Sequence, residues 1–301
     1  MPIILKKIFK EAFSLVWENP FLWLFGFLTS FLINNEIIIL ILSSEKFLKS
    51  SVLLSNLFFL KENYLPLLKN LHQQIFLTPT SLLILFLIIF ISLFFFYLSS
   101  YSQGVLIRNT ANDRKNLRKN LSEVNNFSLK IFFLNILALL FNSFLFYLFV
   151  FESNIKTTLF FSFIFLFIIF LIIFIISFVV RYSICFICLE KKGLFFSLKE
   201  ATKFFFKNWL ISVINSFLIF FVNLFAGGLI LFISQEIRFS FSIFLQLFSY
   251  FNLNKIIWLF FFVNSGLLFI ISLIIISILF AWQYSVWGLL YLRIKEGKKE
   301  D

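Results

Sequence analysis

The chain has 301 residues, of which 61% are hydrophobic, and its mean hydropathy is +1.01. This composition excludes an ordinary soluble domain, because such a domain cannot cover so much apolar surface with polar side chains. The long apolar runs do not alternate with polar residues, which excludes a lipid-facing β-barrel. The sequence therefore predicts an all-α, polytopic membrane protein, since a spanning helix needs about 20 mainly apolar residues.

About six transmembrane helices are predicted from the apolar runs, taken in chain order. The first run is interrupted near one end by Asn34, Asn35 and Glu36, so a five-span chain or a re-entrant hairpin is the alternative. The last run is long enough to tilt or to extend past the membrane as a helix. The predicted spans are 20–42, 80–106, 131–151, 158–180, 209–233 and 257–290.

The connections between these spans differ in length and character. Spans three and four follow each other closely around residues 152–156, which predicts a tight hairpin. The first outer connection, 43–79, is apolar enough to form two short helices on the outer leaflet. The first apolar run lacks a small-residue cleavage site, so we interpret it as a spanning helix rather than a secretory signal.

The distribution of Lys and Arg predicts the orientation in the membrane. With the N-terminus inside, nineteen of the 26 Lys and Arg residues fall in inner segments, as the positive-inside rule requires. The predicted location is therefore the cell membrane, with both termini cytoplasmic and the net charge of +12 facing the anionic inner leaflet. Nucleic-acid binding is not predicted, because the charge is spread over juxtamembrane segments rather than one soluble domain.

The chain is predicted to be a single membrane domain, 1–301, made of three hairpin units in parallel repeat. Each unit has a basic amphipathic helix, a span, an outer loop and a returning span. The returning spans carry a Tyr-Ser dipeptide, followed shortly by Arg108, Lys191 or Arg293. At a constant offset of 189, matching residues are Lys10, Glu11, Ala12 and Asn19 with Lys199, Glu200, Ala201 and Asn208. The predicted units are 1–108, 109–191 and 192–301.

The three basic amphipathic helices are expected to lie in the inner interface, with their apolar stripes toward lipid. The stripe of the first helix consists of Leu5, Ile8, Phe9, Ala12, Phe13 and Val16. Two roles are open for these helices: a topology anchor among the lipid headgroups, or a docking surface for a cytoplasmic or membrane protein partner. The candidate contact residues are Lys6, Lys7, Lys10, Arg114, Lys115, Arg118, Lys119, Lys199, Lys203 and Lys207.

Two segments resemble a group of uncharacterised prokaryotic six-helix membrane proteins. One is the opening Phe-Lys-Glu-Ala-Phe-Ser-Leu-Val-Trp-Glu-Asn-Pro-Phe-Leu-Trp, and the other is Leu-Glu-Lys-Lys-Gly-Leu-Phe-Phe-Ser-Leu-Lys-Glu-Ala at 189–201. The group is similar to the membrane region associated with some glycerophosphodiester phosphodiesterases. The resemblance implies a fold and a membrane location, and it implies no activity, because the phosphodiesterase chemistry belongs to a separate soluble domain.

No catalytic residue, cofactor or metal site is predicted, and the chain is not expected to be an enzyme. His72 is interpreted as a solvated interface residue, because metal-dependent hydrolysis needs clustered carboxylates and histidines. Cys185 and Cys188 form a C-x-x-C without two further zinc ligands, so we interpret them as structural thiols. Gly227 and Gly228 are expected to permit close helix packing.

Polar residues within the spans are the remaining candidates for function, because the membrane interior penalises them. Arg181 and Glu36 are expected near the inner and outer interfaces respectively. The asparagines, which include Asn135, are interpreted mainly as interhelical hydrogen-bonding residues, with a polar solute path as the alternative. The candidate intramembrane polar residues are Glu36, Asn142, Arg181, Asn215, Asn223 and Asn264.

The predicted function is non-catalytic: a scaffold or subunit in envelope or lipid homeostasis. The three basic helices and the lack of a catalytic cluster favour it. A transporter or permease component for a small solute or lipid is the alternative. No proline interrupts a span and glycine is scarce, so broken helices of the transporter kind are not indicated. A membrane enzyme acting on lipid is the third possibility.

Overall fold

The structure is a computed structural model, and it describes residues 2–31, 79–111, 117–153, 159–250 and 254–297. Within these ranges all regular secondary structure is helical. The helices are α1 (Pro2–Glu18), α2 (Phe21–Ser30), α3 (Pro79–Ala111), α4 (Leu117–Asn125), α5 (Ser128–Ser153), α6 (Leu159–Glu190), α7 (Leu194–Lys207), α8 (Trp209–Tyr250) and α9 (Asn254–Glu296).

Five of these helices contain segments long and apolar enough to cross a membrane. The segments are Leu82–Ala111, Ser128–Leu145, Phe167–Glu190, Trp209–Ile230 and Gly266–Glu296. Their positions agree with five of the predicted spans, so the chain is a multi-pass helical membrane protein. At each of them a helix satisfies the backbone hydrogen bonds that lipid cannot.

The first predicted span is only partly described. Its beginning forms α2, an apolar helix of 10 residues that is too short to cross a bilayer by itself. The rest of that span, with Asn34, Asn35 and Glu36, lies outside the described residues, as do the outer connection through residue 78 and His72. The choice between six spans and the five-span alternative therefore stays a prediction.

Two helices continue beyond the predicted ends of their spans. The predicted fourth span ends at residue 180, whereas helix α6 runs on to Glu190, so Arg181 lies within the helix. The guanidinium of Arg181 lies 5.2 Å from the ring centroid of Trp287, a cation–π contact that accommodates its charge within the helix. The candidate span Trp209–Ile230 agrees with the predicted fifth span, 209–233. Helix α8 continues beyond it to Tyr250, so its extension occupies much of the predicted last outer loop.

The chain divides into two compact units, and the first comprises residues 1–30, 99–131 and 178–301. Here α1 and α2 pack along α9. The closest approach is at Gly26, where a Cβ atom would overlap the backbone carbonyl of Ser277. The hydroxyl of Ser99 donates a hydrogen bond to the carbonyl of Leu28 at 2.5 Å, which joins α3 to α2.

The apolar faces of α1 and α7 are buried in this unit rather than turned wholly toward lipid. Leu5, Ile8, Ala12 and Val16 of α1 are buried in the protein and do not face lipid as expected for the stripe, whereas Phe13 is 51% exposed. On α7 the buried residues are Ser197, Ala201 and Phe205, and the Phe205 ring stacks on Phe178 with centroids 5.0 Å apart. Much of the amphipathic pattern therefore reflects packing against the protein's own helices.

The second unit comprises residues 31–98 and 132–177. Leu145 of α5 packs with Ile169 and Ile173 of α6 in a small apolar core. The Phe132 ring makes edge-to-face contacts with Phe96 and Tyr97 of α3. The packing of α5 on α6 agrees with the hairpin predicted for spans three and four, although residues 154–158 of its turn lie outside the described residues.

Candidate functional site

Polar side chains of the first unit gather where the C-terminal parts of α3, α6 and α9 meet. Gln103 of α3 donates its Nε2 hydrogen to the hydroxyl of Tyr284 of α9 at 2.6 Å. Arg108 of α3 donates through Nη1 to the backbone carbonyl of Cys188 in α6 at 3.1 Å. A Cβ at Gly288 of α9 would lie 2.5 Å from the Oγ1 atom of Thr110. We call this region the charged junction.

The centre of the charged junction is an ion pair between Arg108 and Glu123. The guanidinium is only 9% exposed, and its Nη2 lies 2.5 Å from the Oε2 atom of Glu123 on α4. Lys191 lies 3.5 Å from the same oxygen. Burial raises the pKa of the Glu123 carboxyl, but the charges and hydrogen bonds of Arg108 and Lys191 outweigh that effect and lower the pKa below its ordinary value.

The second carboxylate of the charged junction belongs to Glu190, at the end of α6. It accepts hydrogen bonds from the Tyr291 hydroxyl and the Lys295 ammonium of α9, and it pairs with Lys192 at 2.8 Å. The next residue, Lys191, has a φ of 57°, a left-handed conformation that ends α6 and allows α7 to begin at Leu194. The turn between these helices is thus bound to α4 and to α9.

The three cations that follow the Tyr-Ser dipeptides all pair with glutamates of the short helices. Arg108 and Lys191 pair with Glu123 of α4, and Arg293 pairs with Glu11 of α1 at 3.2 Å. The sequence identified both the cations and Glu11 as repeated features, but it did not identify them as partners. The opposite charges, together with their placement at predicted helix ends, were the available signal.

The Tyr residues of the three dipeptides also take part in hydrogen bonds, each to a different group. Tyr101 donates to the backbone carbonyl of Leu121 at 3.1 Å, and the hydroxyls of Tyr182 and Ser212 lie 2.6 Å apart. Tyr284 accepts the hydrogen bond from Gln103. The dipeptides therefore lie where returning helices contact their neighbours.

The predicted lipid- or partner-contact lysines lie on the exposed sides of the short helices. Arg114 and Lys115 lie outside the described residues. Lys203 pairs with Glu200 at 3.7 Å on the surface of α7, and its side chain is 66% exposed. The exposed members of the predicted set are Lys6, Lys7, Lys10, Arg118, Lys119, Lys199, Lys203 and Lys207. These cations are spread over three helices, α1, α4 and α7.

The predicted intramembrane polar residues are dispersed as well. Asn215 of α8 is fully buried in the first unit, and neither amide atom has a hydrogen-bond partner among the described residues. Asn142 is buried in the second unit, with its Oδ1 atom also unpaired in the described part of the chain. Asn223 is partly buried, Asn264 lies in α9 with its side chain outside the description, and Glu36 is not described.

The two cysteines are buried side by side on α6 and carry free thiols. The Sγ atom of Cys188 lies 3.6 Å from the position that a Cβ at Gly104 would occupy, so the thiol fills a close helix contact. Among the described residues, no group of three or more His, Cys, Asp or Glu side chains is arranged to hold a metal ion. The carboxylates of the charged junction bind neighbouring cations and hold helix ends together.

The glycines that allow close packing differ from those expected. No described atom lies within 4 Å of a Cβ placed at Gly227 or Gly228, so the predicted packing at these two positions is wrong for the described part of the chain. Gly26 and Gly104 lie at tight contacts instead. A Cβ placed at Gly104 would lie 2.9 Å from the Val124 side chain and 2.8 Å from the Ile131 side chain. Glycine spacing along one helix does not show which face a neighbour covers.

Comparison of the chain with protein-family models, with curated proteins and with solved structures gave no match.

Proposed function

We propose that the chain is a non-catalytic scaffold or subunit in envelope or lipid homeostasis. In this proposal it lies in the cell membrane with six spans, both termini are cytoplasmic, and the three repeated hairpins begin with α1, α4 and α7. The resemblance to the prokaryotic six-helix group stays a prediction and is consistent with this role. The function rests on one observation, the exposed lysines on helices that ion pairs and buried faces hold in place.

The support comes from the way α1 is fixed. Its Glu11 pairs with Arg293, and Leu5, Ile8 and Ala12 are buried. Lys6 and Lys10 lie four residues apart on its exposed side, where anionic headgroups or an acidic partner surface would meet them. A helix held in this way presents its charges at fixed positions, as a docking surface requires, rather than floating freely on the membrane.

A mild-detergent pull-down of the tagged chain from native membranes tests the proposal, with proteins and lipids identified by mass spectrometry. A specific partner at near-equal abundance, lost when Lys6, Lys7 and Lys10 are replaced by Gln, is the expected result. The control is Lys130→Gln on α5, which lies outside the candidate contact set and should retain the partner. If the α1 variant recovers the same partners as the wild type and leaves the phenotype unchanged, the docking surface on α1 is ruled out.

A second function, a transporter or permease component for a small solute or lipid, is favoured by the unpaired asparagines. Both amide atoms of Asn215 and the Oδ1 atom of Asn142 are buried without a partner among the described residues. An unpaired buried polar group costs about 1–3 kcal/mol, and hydrogen bonds to a polar solute would offset that cost. These atoms are the strongest argument for a solute path.

Flux across reconstituted vesicles tests this second function. We expect Asn215→Leu to abolish flux without unfolding the protein, because leucine removes both hydrogen-bonding atoms at similar volume. The partly buried Asn223 lies on the same helix, and Asn223→Leu is the control that should retain most of the flux. Vesicles in which Asn215→Leu and wild type carry equal flux would exclude a path through Asn215.

A further inference from the structure

A cavity of about 380 Å³ opens between α1, α8 and α9, within the first unit. Its walls are formed by Phe9 and Phe13 of α1, Val222 of α8, and Ile278, Leu279 and Trp282 of α9. The volume lies within the range of about 300–1,000 Å³ that is typical of small-molecule sites. We call this cavity the α1 groove.

The α1 groove has a fixed, apolar wall. The indole of Trp282 is buried, and its Nε1 donates a hydrogen bond to the backbone carbonyl of Phe9 at 3.4 Å. The Phe9 and Trp282 rings meet edge to face with their centroids 5.2 Å apart. A polar solute would give up water against this wall without compensation, whereas a hydrocarbon chain would bury apolar surface there.

The surroundings of the α1 groove also indicate a lipid. Val222 and Ile278 belong to the candidate membrane spans of α8 and α9, so hydrocarbon is the medium next to them. Phe13 stacks on Trp17 with centroids 5.6 Å apart, and both rings are more than half exposed. Exposed tryptophan is typical of the level at which lipid headgroups begin.

Among the described residues, Lys10 is the one positively charged residue that lines the α1 groove. Its side chain is exposed, and Lys6 lies one helical turn before it on the same side of α1. The nearby carboxylates are engaged elsewhere, since Glu11 pairs with Arg293 and Glu18 accepts a hydrogen bond from Ser14. Within the described part of the chain, Lys10 has no ion-pair partner, which leaves its charge available to an anion.

We propose that the α1 groove binds one acyl chain of an anionic phospholipid, whose phosphate pairs with Lys10. The apolar wall selects the chain, and the lysine selects the charge of the headgroup. A zwitterionic lipid would fill the same groove but gain less from Lys10. This site deepens the proposed role in lipid homeostasis, and it rests on that proposal only for the membrane location.

Native mass spectrometry of the purified full-length chain tests the site, with titrations of phosphatidylglycerol and phosphatidylcholine. Wild type is expected to bind phosphatidylglycerol more tightly than phosphatidylcholine. Lys10→Gln should weaken phosphatidylglycerol binding about fivefold, because one lysine near an anionic surface contributes about a factor of that size. It should weaken phosphatidylcholine binding by a smaller factor, because the choline group offsets the phosphate charge. The control Lys130→Gln removes a lysine of α5 that belongs to neither the groove nor the candidate contact set, and it should change the binding of neither lipid.

A second variant tests the groove itself. Leu279→Trp replaces an aliphatic side chain by a larger indole ring in the cavity and should remove the tightest-bound lipid of either type. Its control, Leu224→Trp, adds the same ring at a position that is 60% exposed on α8 and does not line the groove. Equal elution of both variants and wild type as one sharp peak in size-exclusion chromatography verifies folding before the titrations.

Two results would overturn the lipid site. One is equal phosphatidylglycerol affinity in Lys10→Gln and Lys130→Gln. The other is wild-type lipid binding by Leu279→Trp. This result would overturn the site even if the variant loses a co-purifying protein partner. Lipid retention and partner recovery are separate measurements, so failure of the site and failure of the scaffold role can be told apart.

Discussion

At the residue scale, Glu123 of the short helix α4 forms ion pairs with two cations of the first unit. It binds Arg108, which is almost completely buried, and Lys191, which is mostly exposed. Burying a guanidinium is tolerable only when an opposite charge and hydrogen bonds accompany it. Removing the carboxylate would leave the Arg108 charge with the Cys188 carbonyl as its remaining strong acceptor among the described residues.

Replacing Glu123 by Gln should therefore destabilise the protein by about 1–3 kcal/mol, the usual cost of losing a hydrogen-bonded charge partner. The thermal midpoint in detergent, followed by circular dichroism, measures it. The control is Glu200→Gln, which breaks only the exposed pair with Lys203 and should cost well under about 1 kcal/mol. Equal midpoints for the two variants would contradict the importance of the Arg108–Glu123 pair.

The same pair predicts a pH dependence. Because the folded state lowers the pKa of Glu123, its stabilising effect is complete above the ordinary glutamate value of about 4.5 and is lost as the pH falls through the lower, folded value. The difference in midpoint between wild type and Glu123→Gln should stay constant from neutral pH to about 5 and shrink below about 4.5. A difference that shrinks already between pH 8 and 6 would contradict the lowered pKa.

At the scale of the elements, helix contacts depend on where a neighbour approaches rather than on composition. Gly26 of α2 faces the backbone of α9, whereas Gly227 of α8 faces open space within the described chain. Lipid provides no hydrophobic force between spans, so close approach at small residues is a main source of helix association. The two glycines therefore form a matched pair for testing that contact.

We expect Gly26→Ala to lower the thermal midpoint, because the new methyl group meets the Ser277 carbonyl and a backbone cannot rotate away. The cost of such overpacking is about 1–3 kcal/mol. Gly288→Ala should cost less, since the Thr110 side chain can turn aside. Gly227→Ala should be neutral or slightly stabilising, because alanine is the better helix former. The reverse order of midpoints would contradict the packing of α2 on α9.

At the scale of the whole molecule, the proposed orientation places α1, α4 and α7 on one side of the membrane. Single cysteines at exposed Lys6, Lys119 and Lys203 should react with an impermeant maleimide only in inside-out vesicles. Cys185 and Cys188 are buried and should give little background. A cysteine at Lys69, in the predicted outer connection, is the opposite-side control. Labelling of any α1, α4 or α7 position from outside would contradict the orientation.

The helical membrane architecture followed from the sequence because hydropathy is a local property. Five predicted spans coincide with long apolar helices, and each could be recognised from its own residues without knowledge of any neighbour. The sequence alone did not show that helix α6 continues past the charge of Arg181 to Glu190. The nearby Trp287 ring accommodates that charge through a contact formed only by folding.

What the tertiary structure alone decided is which groups meet through space. The sequence identified Glu11, Arg108, Lys191 and Arg293 as repeated features, but their pairing depends on how α1, α4, α6 and α9 pack. The same holds for the packing at Gly26 and for the α1 groove, whose walls come from three helices that are far apart in the chain, α1, α8 and α9. The composition alone showed that the chain folds in a membrane, because the polarity of each segment decides whether that segment lies in lipid or in water. Only the folded structure showed which residues contact each other, because a contact depends on the positions of both residues.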